Sequence, residues 1–127
     1  VNDLRRRDDA AILANIERIR DHVCARTALL VSAILPLDER IESVTPGVNQ
    51  RIAVLNAGIA QLCHEHANCG FIHAGKALCD ESGNLAAAHH VGDGVHPNTA
   101  GYAIWIEALK QGLEELSSNA LSEKKNQ

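Results

Sequence analysis

Two kinds of hydrophobic pattern alternate along this chain. Apolar residues recur at three- and four-residue steps over residues 8–25, 45–67 and 98–117, a periodicity typical of amphipathic helices that bury one face. Between these stretches, residues 27–35 and 69–73 form short, mostly apolar runs, which are typical of strands covered on both faces in a parallel sheet. The pattern therefore predicts the element order helix, strand, helix, strand, helix.

The starts of the three helices carry residues suited to capping. Asp8 or Asp9 is suited to cap the first helix, because a short side-chain oxygen can accept a hydrogen bond from the first turn. Thr45 followed by Pro46 fits the start of the second helix, since proline is favoured at the first helical position. The pair Asn98-Thr99 supplies the same chemistry for the third helix. Its predicted buried stripe is Tyr102, Trp105, Ile106, Leu109, Leu113 and Leu116.

A strand, a helix and a second strand in this order predict one right-handed parallel crossover. The predicted fold class is therefore α/β with a parallel sheet. A sheet of two strands leaves strand edges unpaired and helix stripes uncovered, so we expect further strands from a missing N-terminal segment or from a partner chain. The chain contains no methionine and begins at Val1, which agrees with a segment upstream.

Composition restricts the classes of function. The chain has 127 residues and 46% hydrophobic content, enough for one domain with an aliphatic core. A formal net charge of −4 gives no electrostatic reason to bind nucleic acid or an anionic membrane surface, and no apolar run approaches the length of a transmembrane segment. The cysteines Cys24, Cys63, Cys69 and Cys79 form no Cys-x-x-Cys pair and are expected to be buried free thiols.

The turn before the third helix contains an acid and an imidazole. Gly94 permits backbone angles closed to other residues, and Pro97 keeps His96 out of the helical region. Asp93 and His96 are therefore expected on a shaped loop, where a carboxylate beside an imidazole fixes its tautomer and stabilises the imidazolium. A general base that takes a proton from a serine needs this arrangement. The bare spacing also fits a simpler interpretation, in which Asp93 caps a helix and His96 is merely exposed.

Residue types that bind zinc occur together in the set Cys63, His64, His66 and Cys69. Their spacing matches no standard zinc pattern, so no metal is expected. Residues 74–92 are predicted to form a loop. Within it, the pair His89-His90 is expected to be exposed near the mouth of the candidate site.

The turn Asp93-Gly94-Val95-His96-Pro97-Asn98, followed by Gly101-Tyr102, resembles the last block of the SGNH (GDSL-type) hydrolases. The opening Val1-Asn2-Asp3-Leu4 resembles the end of that family's Gly-x-Asn-Asp block. The resemblance covers residues 1–117 and implies a three-layer α/β/α, flavodoxin-like fold with a central parallel sheet. The chain is then the C-terminal portion of one such domain, and residues 118–127 are expected to form a polar, disordered tail.

The resemblance also implies a site and an activity. Carried over position by position, His96 is the general base, Asp93 is the acid that orients it, and the side chain of Asn2 is an oxyanion-hole donor. The implied reaction is serine-dependent hydrolysis of a small acyl ester, an esterase or lipase activity that needs no cofactor. No Gly-Asp-Ser block occurs in the chain, so the nucleophile is expected in a segment upstream of Val1. The serines that are present lie in other contexts.

A second interpretation belongs to another class of function. The chain could be a non-catalytic remnant or interaction domain that keeps the fold without the nucleophile and is stable only when paired with another chain. A Gly-Asp-Ser motif in the upstream sequence favours the enzyme, and its absence favours the remnant.

Overall fold

The computed structural model describes the backbone of residues 2–125 and the side chains of residues 4–118. Two strands and several helices make up this part of the chain. They are α1 (Asn2–Arg6), α2 (Asp9–Cys24), β1 (Leu29–Ser32), α3 (Val48–His64), β2 (Cys69–Ile72), α4 (Gly75–Leu78), a 3₁₀ turn (Ala87–His89) and α5 (Thr99–Lys125).

The two strands pair in parallel, with Leu29 opposite Cys69 and Ser32 opposite Ile72. Helix α3 lies between them in the chain, so the predicted parallel crossover is confirmed. Asp8 caps α2, because its side chain accepts a hydrogen bond of 2.7 Å from the backbone N–H of Ala11. This cap also agrees with the sequence.

Helices cover both faces of the small sheet. The face of Ser32 and Ile72 lies against α5, where the Trp105 indole N–H donates to the Ser32 hydroxyl at 2.9 Å and Gly112 lets Ile72 approach the helix closely. Successive residues of a strand point to opposite faces. Cys69 therefore faces the other side, where α2 and α3 pack against each other and against the strands. The α/β class and the three-layer arrangement predicted from the sequence are both present.

The main apolar core lies on the α2 and α3 side and extends beneath the loop that follows β1. Its buried members are Leu4, Ile12, Leu37, Val44, Ile52 and Leu55. Leu55 of α3 is completely buried. The core therefore joins α1, both long helices of this side, and the segment between β1 and α3.

The outer surfaces are less covered than the apolar pattern predicts. All residues of both strands are only partly buried, although helices lie on both faces, because each strand of a two-stranded sheet has one unpaired edge. On α5, three residues of the predicted stripe are about half exposed: Tyr102 at 46%, Ile106 at 48% and Leu113 at 53%. A sheet of two strands is too narrow to cover the whole apolar face of a long helix.

Helix α3 begins later than the sequence predicts. Its N-cap is Gly47, in the left-handed region at φ 80°, whereas Thr45 and Pro46 lie before the helix. The carboxylate of Glu39 accepts hydrogen bonds from the backbone N–H groups of Gly47 at 2.8 Å and Asn49 at 2.7 Å. A distant carboxylate thus satisfies the first turn, which removes the need for a threonine cap.

Two other segments are more helical than predicted. The loop predicted for residues 74–92 contains α4 and the 3₁₀ turn. Helix α5 continues to Lys125, into the segment for which a disordered tail is predicted, and the division of the chain at residue 117 stays a prediction. None of the helices in the described part of the chain is long and apolar enough to cross a membrane.

Candidate active site

The turn between the 3₁₀ segment and α5 holds its own acid in place. Gly92 and Gly94, on either side of Asp93, have φ angles of 104° and 72°, which only glycine adopts without strain. The Asp93 Oδ1 atom accepts hydrogen bonds from the backbone N–H groups of Val95 and His96, each at 2.9 Å. The side chain therefore closes the turn that carries it, a common role of aspartate.

The second carboxylate oxygen of Asp93 contacts the imidazole of His96. The distance from Asp93 Oδ2 to His96 Nδ1 is 2.6 Å. The pKa of Asp93 is held well below its ordinary value, mainly by the hydrogen bond from the His96 backbone N–H, then by the imidazole and the Val95 N–H. Because an ionised carboxylate only accepts hydrogen bonds, Nδ1 carries the ring proton, and Nε2 of neutral His96 has a free lone pair.

His96 is open to solvent on its other side. Its side chain is 71% exposed, and no described residue hydrogen-bonds its Nε2. The structure thus brings together the two residues that the sequence singled out. Asp93 does not cap α5, because Asn98 does so with its Oδ1 atom, which accepts from Gly101 N–H at 3.0 Å. The exposure of His96 is what the simpler interpretation also expects.

Asn98 also ties the turn to the preceding 3₁₀ segment. Its side-chain amide donates to the carbonyls of Ala88 at 2.9 Å and His90 at 3.2 Å, and its backbone N–H donates to the carbonyl of His89 at 3.0 Å. The first turn of α5 packs so closely here that a Cβ on Gly101 would lie 2.4 Å from the His89 carbonyl oxygen. The candidate site therefore depends on a glycine at this position.

A buried carboxylate lies beneath the turn. Asp38, which follows β1, is 3% exposed, and its backbone N–H donates to the carbonyl of Gly94 at 2.8 Å. Arg40 binds the Asp38 carboxylate with two N–H groups, at 2.7 and 3.1 Å, and His90 Nε2 lies 3.3 Å from Asp38 Oδ2. The Arg40 hydrogen bonds, opposed by burial, lower the pKa of Asp38 to about 2.

The lowered pKa of Asp38 makes the stability of the fold dependent on pH. Its ordinary value is 3.8, so the stabilisation by ionised Asp38 is complete above that pH and is lost as pH falls through about 2. We expect Asp38→Asn to lower the free energy of unfolding by about 2 kcal/mol at neutral pH. The difference between the variant and the unchanged protein should shrink towards pH 2. Urea denaturation at several pH values measures it, and a constant difference would contradict this role.

The sequence analysis does not predict the cluster of Asp38, Arg40 and His90, and its prediction of an exposed His90 is wrong. The pair His89-His90 was predicted to be exposed, but the His90 side chain is only 4% exposed and His89 is half-buried, with Nδ1 3.0 Å from the Leu78 carbonyl oxygen. Residues 37–43 have the polar composition of a solvated loop, which hides the burial of Asp38.

Asn2, the predicted oxyanion-hole donor, begins α1, and its side chain lies outside the described residues. The helix that carries it is fastened to α3 by Arg51. The guanidinium donates to Asp9 Oδ1 and to the Arg7 carbonyl, each at 2.7 Å, and also to the Leu4 carbonyl. The position of α1 is therefore coupled to the main core.

No serine hydroxyl among the described side chains hydrogen-bonds the His96 ring. Ser32 is engaged with Trp105 on the sheet, and the hydroxyls of Ser117 and Ser118 donate to carbonyls one turn back in α5, each at 2.8 Å. Among the described side chains, no serine therefore hydrogen-bonds the Asp93 and His96 pair.

The cysteines offer no alternative nucleophile. Cys24 and Cys63 are buried, Cys69 and Cys79 are partly buried, and all four are free thiols. Burial raises the pKa of the Cys69 thiol to about 12, so the reactive thiolate is scarce near neutral pH. Within the described residues, no group of three or more cysteine, histidine or acidic side chains is arranged to hold a metal ion. The set around Cys63 therefore lacks the geometry of a metal site.

A cavity of about 420 Å³ adjoins the turn. Val95, which precedes His96, forms part of its wall. Most of the other wall residues are apolar and come from α1 and from the segment before α3, among them Leu4, Leu37, Val44 and Pro46. The cavity offers an apolar surface next to the residue pair described above.

Comparisons with known proteins identify the family and a similar fold. The model of the GDSL-like lipase/acylhydrolase family matches residues 1–104. A solved structure named "putative platelet activating factor", from Streptococcus pneumonia, superposes with a TM-score of 0.79 at 27% identity. The match covers 87% of this chain and 54% of that one, so the chain spans about half the length of its structural neighbour. A comparison with curated proteins finds no match.

Proposed function

Because the chain belongs to the GDSL-like lipase/acylhydrolase family, we propose that it is the C-terminal part of a serine hydrolase that cleaves a small acyl ester. His96 is the general base, and Asp93 is the acid that orients it. The observation that carries the proposal is the contact of 2.6 Å between Asp93 and His96 Nδ1. This contact leaves Nε2 free to take the proton of a serine hydroxyl.

The chemistry follows from the protonation of the pair. Nε2 of His96 takes the proton of a serine hydroxyl as the oxygen attacks the ester carbonyl, and ionised Asp93 stabilises the imidazolium that forms. The imidazolium then gives this proton to the leaving alcohol, and an acyl-enzyme remains. Water, deprotonated by the same Nε2, attacks the acyl-enzyme. The bond between the serine oxygen and the acyl carbon breaks, Nε2 returns its proton to the serine oxygen, and the carboxylic acid is released.

Asn2 is proposed as a donor to the oxyanion of the tetrahedral intermediate. A side-chain amide is suited to this role because its N–H groups carry no net charge and can be aimed at the developing negative oxygen. Such a donor lowers the barrier by on the order of 3 kcal/mol. The hydrogen bond from Arg51 of α3 to the Leu4 carbonyl of α1 supports the role, since an oxyanion donor must be held in place.

The nucleophile is proposed to come from a segment upstream of Val1. Two observations support this: none of the described serine hydroxyls contacts His96, and the chain spans only 54% of its structural neighbour. The same segment is proposed to add strands to the sheet and to cover the exposed residues of α5, such as Tyr102 and Ile106. The cavity beside Val95 is proposed to receive a short acyl chain, because its walls are mostly apolar.

Labelling with a fluorophosphonate tests the proposal, since the reagent reacts only with an activated serine. We expect intact mass spectrometry of the protein from its source to find a labelled species heavier than 13.6 kDa, with the label on a serine outside residues 1–127. The expressed 127-residue chain is the matched control and should stay unlabelled. An unlabelled species of 13.6 kDa from the source would contradict the proposal.

That second outcome would favour the other candidate function, a non-catalytic domain that pairs with another chain. The half-exposed apolar residues Tyr102, Ile106 and Leu113 on α5 are the observation in its favour, because they form a surface that a partner could cover. The Asp93 and His96 pair would then have no serine to activate.

A further inference from the structure

A second histidine lies on the inner side of the turn and takes no part in the proposed reaction. The side chain of His90 is 4% exposed. Its Nδ1 atom lies 2.9 Å from the backbone nitrogen of Gly92 and 3.2 Å from that of Gly94. Its Nε2 atom lies 3.3 Å from Asp38 Oδ2. Both ring nitrogens of this buried side chain are therefore engaged.

These partners determine which nitrogen of His90 carries the proton. A backbone N–H only donates, so Nδ1 must be unprotonated to accept from both glycines. The ring proton is then on Nε2 and is donated to Asp38, whose pKa of about 2 keeps it ionised. His90 is thus a neutral imidazole with the opposite tautomer to His96, in which Nδ1 carries the proton.

The position of the two glycines gives this ring a function. Gly92 and Gly94 flank Asp93 directly, and both need positive φ angles. Their N–H groups point inward to His90, whereas the Asp93 carboxylate points to His96. One ring nitrogen therefore binds the two glycines on either side of the residue that orients the proposed base.

We infer that His90 is a positioning residue: its unprotonated Nδ1 fixes the two peptide N–H groups around Asp93 and so sets the contact between Asp93 and His96. Asp38 holds the tautomer from the other side of the ring, and Arg40 balances the charge of Asp38. Arg40 is in turn paired with Asp80 at 2.8 Å. The geometric inference stands on these contacts, and only its consequence for catalysis rests on the proposed function.

Two substitutions separate the roles of the two ring nitrogens. In His90→Asn, the side-chain oxygen can occupy the position of Nδ1 and accept from the glycines, but the donor to Asp38 is lost. In His90→Gln, the amide can reach the position of Nε2 and donate to Asp38, but the acceptor for the glycines is lost. The two variants have the same polar group. His90→Asn keeps the hydrogen bonds to the glycines, whereas His90→Gln keeps the hydrogen bond to Asp38.

Nuclear magnetic resonance on the full chain tests the inference without any substrate. In His90→Gln, we expect amide hydrogen exchange at Gly92 and Gly94 to become about tenfold faster, the equivalent of one lost hydrogen bond. The downfield ring N–H signal of His96 should disappear. In His90→Asn, both should be retained. Exchange at Ile59 in the core of α3 is the internal control for global unfolding.

Equal changes in the two variants, or no change in either, would overturn the inference. Nitrogen chemical shifts of the unchanged protein give a test that does not depend on the variants folding. We expect an unprotonated Nδ1 and a protonated Nε2 for His90, and the reverse tautomer would overturn the inference. None of these measurements involves hydrolysis. Failure of the proposed enzymatic function would therefore leave their results unaffected.

Discussion

Replacing His96 with alanine is expected to abolish ester hydrolysis by the protein that includes the upstream segment. The value of kcat/KM for a short-chain nitrophenyl ester should fall by about 10⁴-fold or more, because the serine then has no base to take its proton. The fold should be unchanged, since the His96 side chain is 71% exposed and its one described side-chain partner is Asp93. Steady-state kinetics and circular dichroism measure the two effects.

His64→Ala is the matched control for this experiment. His64 is also exposed, but it lies at the C-terminal end of α3, next to the start of β2 and not at the candidate site. Its replacement should leave kcat/KM within about twofold of the unchanged protein, as is usual for surface positions. Retained hydrolysis in His96→Ala would remove this residue from the proposed mechanism.

Replacing Gly101 with alanine is expected to have the largest effect on stability. The new Cβ would lie 2.4 Å from the His89 carbonyl oxygen, a backbone atom that already accepts from the Asn98 N–H at 3.0 Å. Neither the first turn of α5 nor the His89 carbonyl can move away without breaking the hydrogen bonds of Asn98 that cap α5. We expect the free energy of unfolding to fall by about 3 kcal/mol or more, measured by urea denaturation.

Gly58→Ala provides the comparison at another helical glycine. A Cβ at Gly58 would meet only the terminal carbons of Leu13, at 3.0 Å, and a flexible side-chain end can move aside. The better helix propensity of alanine, about 1 kcal/mol, offsets this adjustment, so stability should change little. Similar losses of unfolding free energy in the two variants would contradict this explanation. They would show that the close approach to the His89 carbonyl is not the reason why position 101 needs glycine.

The candidate pair could be predicted because its chemistry is local. Asp93 and His96 are three residues apart, and the hydrogen bonds that orient Asp93 come from the backbone N–H groups of Val95 and His96 and from the His96 ring in the same turn. Such short-range geometry depends on the residues' own dihedral preferences and hydrogen-bonding groups. The cap of α5 by Asn98 is predictable for the same reason.

The buried network around His90 could not be predicted, because its members are distant in the chain. His90 and Asp38 are separated by 52 positions, and Asp38 lies in residues 37–43, whose composition is that of a solvated loop. The start of α3 is a similar case, since the cap comes from Glu39 across a turn. A polar side chain does not reveal from sequence whether its partner will be water or another residue.

By itself, the sequence determined the alternation of helices and strands, the parallel crossover, and the acid and imidazole on one turn, because periodicity and turn chemistry act over a few residues. Only the tertiary structure decided which surfaces are covered and which polar groups are buried. It left Ile106 and Leu113 of α5 half exposed and placed His90 beneath Asp93. Burial depends on which distant segments pack together, and no local pattern contains that information.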